Sequence, residues 1–362
     1  MSMHVKVVDG DGHVQEPEAI WEQYLEPKYR HRAPQFVVDE QGRSRREMLD
    51  GQLMPYLPRA DVETHYPHTL RPGGYKPHER VNDLDLEGID TAVLFPSMAL
   101  RYQGLQDANL VGALCRAYNN WISDFCKTSP KRLVGVGLAP LQDLDMAIEE
   151  AQRAVTLGLR GIFIRPNLVN GRNWHHPFYD HLWSVIQELG VPVTFHEGTT
   201  MNCPTAGTDR FEPLFFKHII SHPFEQQLAC LAMIVGGVLE RFPGLKLGFL
   251  ESGVGWVWYW LDRMDEHAEK PEMWSYSVKH LKMKPSDYFR RQCWISGEPQ
   301  ESMMPAIAAY LGDDRVIWAS DYPHPDAIFP GAVKALTERT DIPEVSKRKI
   351  LGANAVALYG LR

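Results

Sequence analysis

The stretch VVDGDGH, residues 7–13, runs from strand-like apolar residues straight into Asp9, Asp11 and His13, and three distant segments are built the same way. His196 ends the apolar run of VTFHEG (193–198), Glu251 that of GFLESG (248–253), and Asp321 that of VIWASDYPH (316–324). A carboxylate or imidazole at a strand tip adds nothing to strand stability. Its recurrence at the same end of successive strands points to a shared metal site.

Working outward, short runs rich in Val, Ile, Leu and Phe predict strands over residues 5–8, 92–95, 133–138, 161–165, 192–196, 245–251, 293–296 and 316–320. Such runs suit strands buried on both faces of a parallel sheet. Helical patterns fall between them, over 108–125, 144–157, 178–189, 224–241, 255–267 and 303–311. Strands alternating with helical crossovers predict an α/β fold of the (β/α)8 TIM-barrel type, one domain over residues 1–362. Two further helices, over 332–338 and 345–359, are expected to pack outside the barrel. Two long connections leave from C-terminal strand ends, the face on which barrels build their sites. Residues 15–78 form a lid-like insertion with an expected hairpin in QFVVDEQGRSRREML (35–49), and residues 197–222 form a second candidate lid.

The 362 residues are 44% hydrophobic, ample for a large core, and carry a formal net charge of -8 with no Lys/Arg-rich run. That balance argues against a nucleic-acid or acidic-membrane partner and for a small-molecule substrate. No leader-like segment or membrane-length apolar run is apparent, so a cytoplasmic protein is expected. The five cysteines are scattered and lack CxxC spacing, which fits buried thiols better than a disulfide framework or a thiolate zinc site. No GxGxxG, GxxxxGK[ST] or GxSxG motif follows a predicted strand, so neither a nucleotide cofactor nor a serine nucleophile is indicated.

Asp11 and His13, one residue apart in an extended segment, face the same side and can share an ion. Alone, this pair is a weak signal that reads more readily as a solvated loop, and His196 reads equally as a hydrogen-bonded core histidine. Asp321 is the stronger signal, because a buried carboxylate needs a cation or several donors. In KHIISHPFEQ (217–226), Ser221 or His222 is expected to cap a helix opened by Pro223, with His222 toward the metal and His218 one turn earlier in the loop. His324 is a candidate ligand, proton shuttle or lid contact, and Glu16 a candidate second-sphere partner of a ligand histidine. Arg165 and Arg101 suit a substrate carboxylate or a surface salt bridge. Trp256, Phe95 and Met98 are candidate pocket walls.

Taken together, Asp11-x-His13, His196 and Asp321, with FPGLKLGF (242–249) and ASDYPHPD (319–326), resemble the amidohydrolase superfamily. The likeness is to the branch of aminocarboxymuconate-semialdehyde and resorcylate-type decarboxylases. The resemblance implies that the first-strand H-x-H or E-x-H motif is matched by Asp11 and His13, with His196 and Asp321 on the remaining ligand positions. The chain departs from that pattern at the sixth strand, where the decarboxylases carry a histidine followed by glycines and this sequence has Glu251, Ser252 and Gly253. Glu251 is then a ligand, or a structural carboxylate paired with Arg263.

Asp9, Asp11, His13, His196, His222, Glu251, Asp321 and His324 exceed the needs of one zinc ion, and such a carboxylate-rich set suits two iron or manganese ions. The expectation is therefore a dinuclear Fe or Mn/Fe monooxygenase that activates dioxygen to hydroxylate a small amine or aromatic acid. Two readings compete with it: a one-metal hydrolase or nonoxidative decarboxylase using zinc, and a metal-poor structural subunit. A homo-oligomer, or a hetero-oligomer with a homologous chain, is expected.

Overall fold

A computed structural model describes residues 6–38, 45–53, 65–198, 203–274 and 277–361. Its staves are β1 (Val8–His13), β2 (Thr91–Phe95), β3 (Leu133–Gly135 and Gly137–Leu138), β4 (Ile162–Ile164), β5 (Val193–His196), β6 (Leu247–Leu250), β7 (Cys293–Gly297) and β8 (Val316–Trp318). Each pairs in parallel with its neighbours in chain order from β1 to β8. The barrel closes between β8 and β1, where Asp321 N donates to Asp11 O (3.1 Å) and His13 N donates to Tyr322 O (2.8 Å). The fold is the (β/α)8 barrel expected. All staves are buried on both faces, which the apolar runs of most of them suit.

β1 differs from its expected span. It runs on to His13 because Gly12 and His13 pair with Leu94 and Phe95 across a register shift after Asp9. Asp11 and His13 are therefore held in the strand itself rather than in a loop beyond it, and residues 1–5 lie outside the described residues. A second difference decides where two histidines sit. The helix expected from residue 224 begins ten residues earlier, as Leu214–Ile234, with Pro223 inside it. His218 and His222 thus occupy successive turns of one helix, rather than a loop and a cap. Helices Pro77–Glu87 and Pro285–Gln292 also escaped the sequence reading, each entered through a proline at its first position.

Between β1 and β2 lie the helix Ala19–Tyr24 and a three-stranded antiparallel sheet of Gln35–Val38, Arg45–Leu49 and Gln52–Leu53, which contains the expected hairpin. The end of this segment returns to the barrel mouth, where Gln15 N donates to Gly74 O (2.7 Å) and His68 Nε2 to His324 O (2.8 Å). At the other end of the chain the π-turn Lys349–Ala353 and helix Asn354–Tyr359 pack on β8 and β1. Trp318 Nε1 donates to Leu351 O (3.0 Å), and the Tyr359 hydroxyl to Gly10 O (2.8 Å). Among the described residues no helix is long and apolar enough to cross a membrane. All five cysteines are free thiols, four of them buried and Cys126 half-buried.

The β1–β8 seam is held from beneath by Arg80, a fully buried cation on helix Pro77–Glu87. Its Nη1 donates to His13 O (2.7 Å) and its guanidinium lies over the Tyr322 ring at 4.7 Å. Arg80→Met should destabilise the protein by about 3 kcal/mol, the scale of a buried charged donor removed from its acceptors. Urea titration followed by circular dichroism measures this, and an unchanged midpoint would show that the seam does not depend on Arg80.

Candidate metal centre

At the C-terminal mouth of the barrel, β1, β5 and the turn after β8 bring Asp11, His13, His196 and Asp321 together. His13 Nε2 stands 3.2 Å from His196 Nε2, 3.3 Å from Asp321 Oδ1 and 3.9 Å from Asp11 Oδ1. His196 Nε2 is 3.4 Å from Asp11 Oδ1 and 3.0 Å from Glu251 Oε2. The rings are aimed from behind: Nδ1 of His13 donates to Pro96 O (2.8 Å) and Nδ1 of His196 to Glu197 O (2.7 Å). Each hydrogen bond fixes its ring so that Nε2 faces the centre, the usual arrangement of a ligand histidine. Phe95 stacks on His196 with ring centroids 5.4 Å apart, so this expected wall residue is the floor beneath the histidines.

Three carboxylate oxygens at this point, Asp11 Oδ1, Asp321 Oδ1 and Glu251 Oε2, are buried among imidazole nitrogens. A buried anion without a compensating charge is strongly unfavourable, and three of them converging on two imidazole nitrogens fit a divalent cation. Titration behaviour agrees. Burial, together with Glu251, Asp326 and Asp11, pushes Asp321 well above the usual carboxylate range. Burial lowers His196, but the Asp11 and Glu251 charges outweigh it and raise the imidazole to about 9. Burial, with His324 and His196 close by, holds His13 well below the usual imidazole value. Without metal the cluster thus takes up protons at groups that a cation would discharge. Glu251 and Asp321 also share a left-handed backbone, with φ of 49° and 53°. Non-glycine residues adopt that conformation rarely, and chiefly where function requires it.

Glu251 faces two ways. While Oε2 meets His196, Oε1 lies 3.5 Å from His222 Nε2, and the rings of His218 and His222 are 4.3 Å apart. Burial raises the Glu251 carboxyl, but His196 and His222 more than offset that and hold it well below the usual range. Its partners are histidines of the site rather than Arg263, so the structural ion pair considered for it does not form. His218, His222 and Glu251 make a third group able to hold an ion, beside those of His13, Glu251, Asp321 and His324 and of Asp11, His13 and His196.

Several expected residues have other positions. Asp9 is no ligand: Ser320 donates to it through N (3.0 Å) and Oγ (2.6 Å), tying β1 to β8, and burial raises its carboxyl to about 6. Glu16 does not touch a ligand histidine. It accepts from the amides of Ser97, Met98 and Ala99 and so shapes the turn after β2, where Met98 is buried. Arg165 is neither at the surface nor open to substrate, since it is fully buried, with Nη2 donating to Glu197 Oε1 (2.5 Å) and Nε to Asn167 Oδ1 (2.9 Å). Arg101 pairs with Glu47 of the insertion. Trp256 is half-buried and donates to Ser252 Oγ (3.2 Å). His324 belongs to the site: Nδ1 lies 2.8 Å from Asp321 Oδ1, Nε2 lies 2.8 Å from Ser97 Oγ, and its ring stacks on His13 at 4.0 Å.

Sequence reasoning missed Ser296. At the end of β7 its hydroxyl accepts from Glu251 N (3.1 Å) and donates to Asp11 Oδ2 (3.2 Å), leaving Oδ1 toward the centre. Its place at the tip of an apolar strand, CWIS, was the available signal.

The Amidohydrolase family profile matches residues 60–361. A 2-amino-3-carboxymuconate-6-semialdehyde decarboxylase from Dictyostelium discoideum is 28% identical over 293 residues, 79% of this chain and 77% of that protein. The crystal structure of an amidohydrolase from Mycobacterium avium subsp. paratuberculosis superposes with a TM-score of 0.82 at 22% identity, covering 100% of this chain and 99% of the other. A manganese-bound 5-carboxyvanillate decarboxylase from Novosphingobium aromaticivorans superposes with a TM-score of 0.73 at 22% identity, covering 99% and 98%. These names correct the expectation of an oxygen-activating monooxygenase. Both of these relatives whose names state an activity are decarboxylases, and a carboxylate-rich set of candidate ligands did not discriminate redox from nonredox metal chemistry. By the extent of the profile match, the chain belongs to the amidohydrolase family.

Proposed function

We propose that this chain is a metal-dependent, nonoxidative decarboxylase of a small carboxylic acid. The observation that carries the reading is the convergence of three buried carboxylate oxygens on the Nε2 atoms of His13 and His196 at the barrel mouth. The decarboxylase relatives support it. Asp11, His13, His196 and Asp321 would hold one divalent ion, and Glu251 stands within reach of it. When bound, the ion would supply Lewis acidity to the substrate's carboxylate and neighbouring oxygen. In the reaction the bond between carbon and carboxylate breaks, CO2 leaves, and the carbon takes up one proton. His324, with Nδ1 2.8 Å from Asp321 Oδ1 and Nε2 2.8 Å from Ser97 Oγ, is the side chain placed to deliver that proton. Phe95 and Met98 keep the inner side apolar, and residues 68–74 cover the mouth through His68 and Gly74.

The test is anaerobic incubation of manganese-loaded protein with hydroxybenzoates and unsaturated amino acids that carry a carboxylate, reading CO2 release. Chelation should abolish turnover and manganese should restore it. Release that requires dioxygen, or that survives chelation, would sink the reading. His324→Gln should lower turnover about 10²-fold or more with metal content unchanged, the usual scale for a lost proton-transfer group. Full activity in that variant would place the proton elsewhere.

Glu251 favours a second reading on metal number. With one oxygen toward His196 and the other toward His222, it would serve a second ion as well, held with His218 and His222. Two iron or manganese ions per chain by elemental analysis would support this, and one ion would leave Glu251 to the inner site. The anionic Glu251 also suits activation of water, so hydrolysis of the same substrates is scored in the same assay by product mass.

A further inference from the structure

We infer that Gln226 is a positioning residue of the metal centre, its side-chain amide tying together the strand ends that carry His196 and Glu251. The inference rests on the proposed metal centre and is independent of the reaction assigned to it. Gln226 lies on helix Leu214–Ile234, one turn beyond His222, and is fully buried. Its Nε2 donates to Phe195 O (2.8 Å) and to Leu250 O (3.0 Å). These carbonyls belong to the residues immediately before His196 and Glu251. One NH2 group, with both hydrogens committed, therefore spans the tips of β5 and β6.

The ladder between β5 and β6 ends at the pair of Leu250 with His196. Past that pair Glu251 turns into its left-handed backbone, and strand pairing with β5 no longer sets its distance from His196. The Gln226 amide bridges this point from the β5 side, while Ser296 Oγ accepts from Glu251 N on the β7 side. A small shift here matters, because Glu251 Oε2 meets His196 Nε2 at 3.0 Å. The bridge reaches the helix as well. Pro223 has no N–H to donate to Ile219 O, so the turns carrying His218 and His222 join the rest of the helix across a gap in its hydrogen bonding. Gln226 anchors the helix just beyond that gap. Residues four apart share a helix face, so holding Gln226 against β6 also holds His222 Nε2 3.5 Å from Glu251 Oε1. The rest of the inward face is apolar there, with Ala229, Cys230 and Met233, and Gln226 Oε1 has no hydrogen-bond partner among the described residues. Leaving a buried acceptor unpaired is unfavourable, which makes the two donated bonds the reason for an amide at this position.

Manganese affinity of the metal-free, full-length protein, measured by isothermal titration calorimetry, tests the inference. Gln226→Met keeps the length of the side chain but removes both donors. It should weaken manganese binding about 10–100-fold, the range for a lost outer-sphere partner of a metal. Gln292→Met is the control for a merely structural role. Gln292 is also buried, and its Nε2 likewise donates to two carbonyls, Phe242 O and Leu245 O (2.8 Å each), but at the opposite end of β6. That variant should lower the urea midpoint and leave manganese affinity unchanged. In a Glu251→Gln background, Gln226→Met should cost less affinity than in the wild type, because part of its effect passes through that carboxylate. Should Gln226→Met not fold, Gln226→Glu, held neutral by its burial, keeps one donated bond and should show a smaller loss. Wild-type affinity in a folded Gln226 variant, an equal loss in Gln292→Met, or full additivity with Glu251→Gln would overturn the inference. A wild type that binds no manganese would remove the metal centre itself, and this inference with it.

Discussion

His196→Ala should lose its bound metal and at least about 10³-fold in turnover while keeping the barrel. The ring supplies one of two imidazole donors, and a metal's Lewis acidity contributes several kcal/mol to the transition state at about 1.4 kcal/mol per tenfold in rate. The fold should survive, because β5 is held by the backbone pairing of Val193–His196 with β4 and β6 rather than by this side chain. Asp321→Asn should act similarly, by removing the anionic oxygen nearest His13. Elemental analysis and circular dichroism on the same samples separate loss of metal from loss of fold. Full metal occupancy in either variant would mean that the centre lies elsewhere.

Glu251→Gln is the second large expected effect. The change keeps shape and one acceptor oxygen but removes a charge that faces both His196 and His222. If Glu251 ligates the inner ion, metal affinity and turnover should each fall about 10–100-fold or more, since even outer-sphere partners of a metal are worth that much. If it bridges two ions, the variant should retain one of the two. Glu251→His puts an imidazole where the decarboxylases this chain resembles carry one, and should keep a one-metal centre and its turnover. Metal content and kinetics equal to wild type in Glu251→Gln would make the carboxylate structural.

The barrel and the strand-end residues that converge at its mouth were legible because both signals are local. An apolar run that stops at a polar residue can be read within ten positions, and VVDGDGH, VTFHEG and VIWASDYPH each say this without reference to the others. What escaped depends on partners far apart in the chain. Ser296 orients Asp11 across 285 positions, Ser320 neutralises the role expected of Asp9 across 311, and Arg80 reaches Tyr322 across 242. Pro223 misled for a different reason. Proline usually opens a helix, and here the preceding turns continue through it, placing His218 and His222 on one face toward Glu251. The reaction was the least legible part, because the same oxygen and imidazole donors serve redox and nonredox ions alike.

An anomalous-difference map at the manganese edge, from crystals of chelated and manganese-reloaded protein, tests the central claim most directly. The account predicts a peak within about 2.0–2.3 Å of Asp11 Oδ1, His13 Nε2, His196 Nε2 and Asp321 Oδ1, ordinary ligation distances for such donors. A map with no peak among these four atoms, or with its peak on other residues, would contradict it.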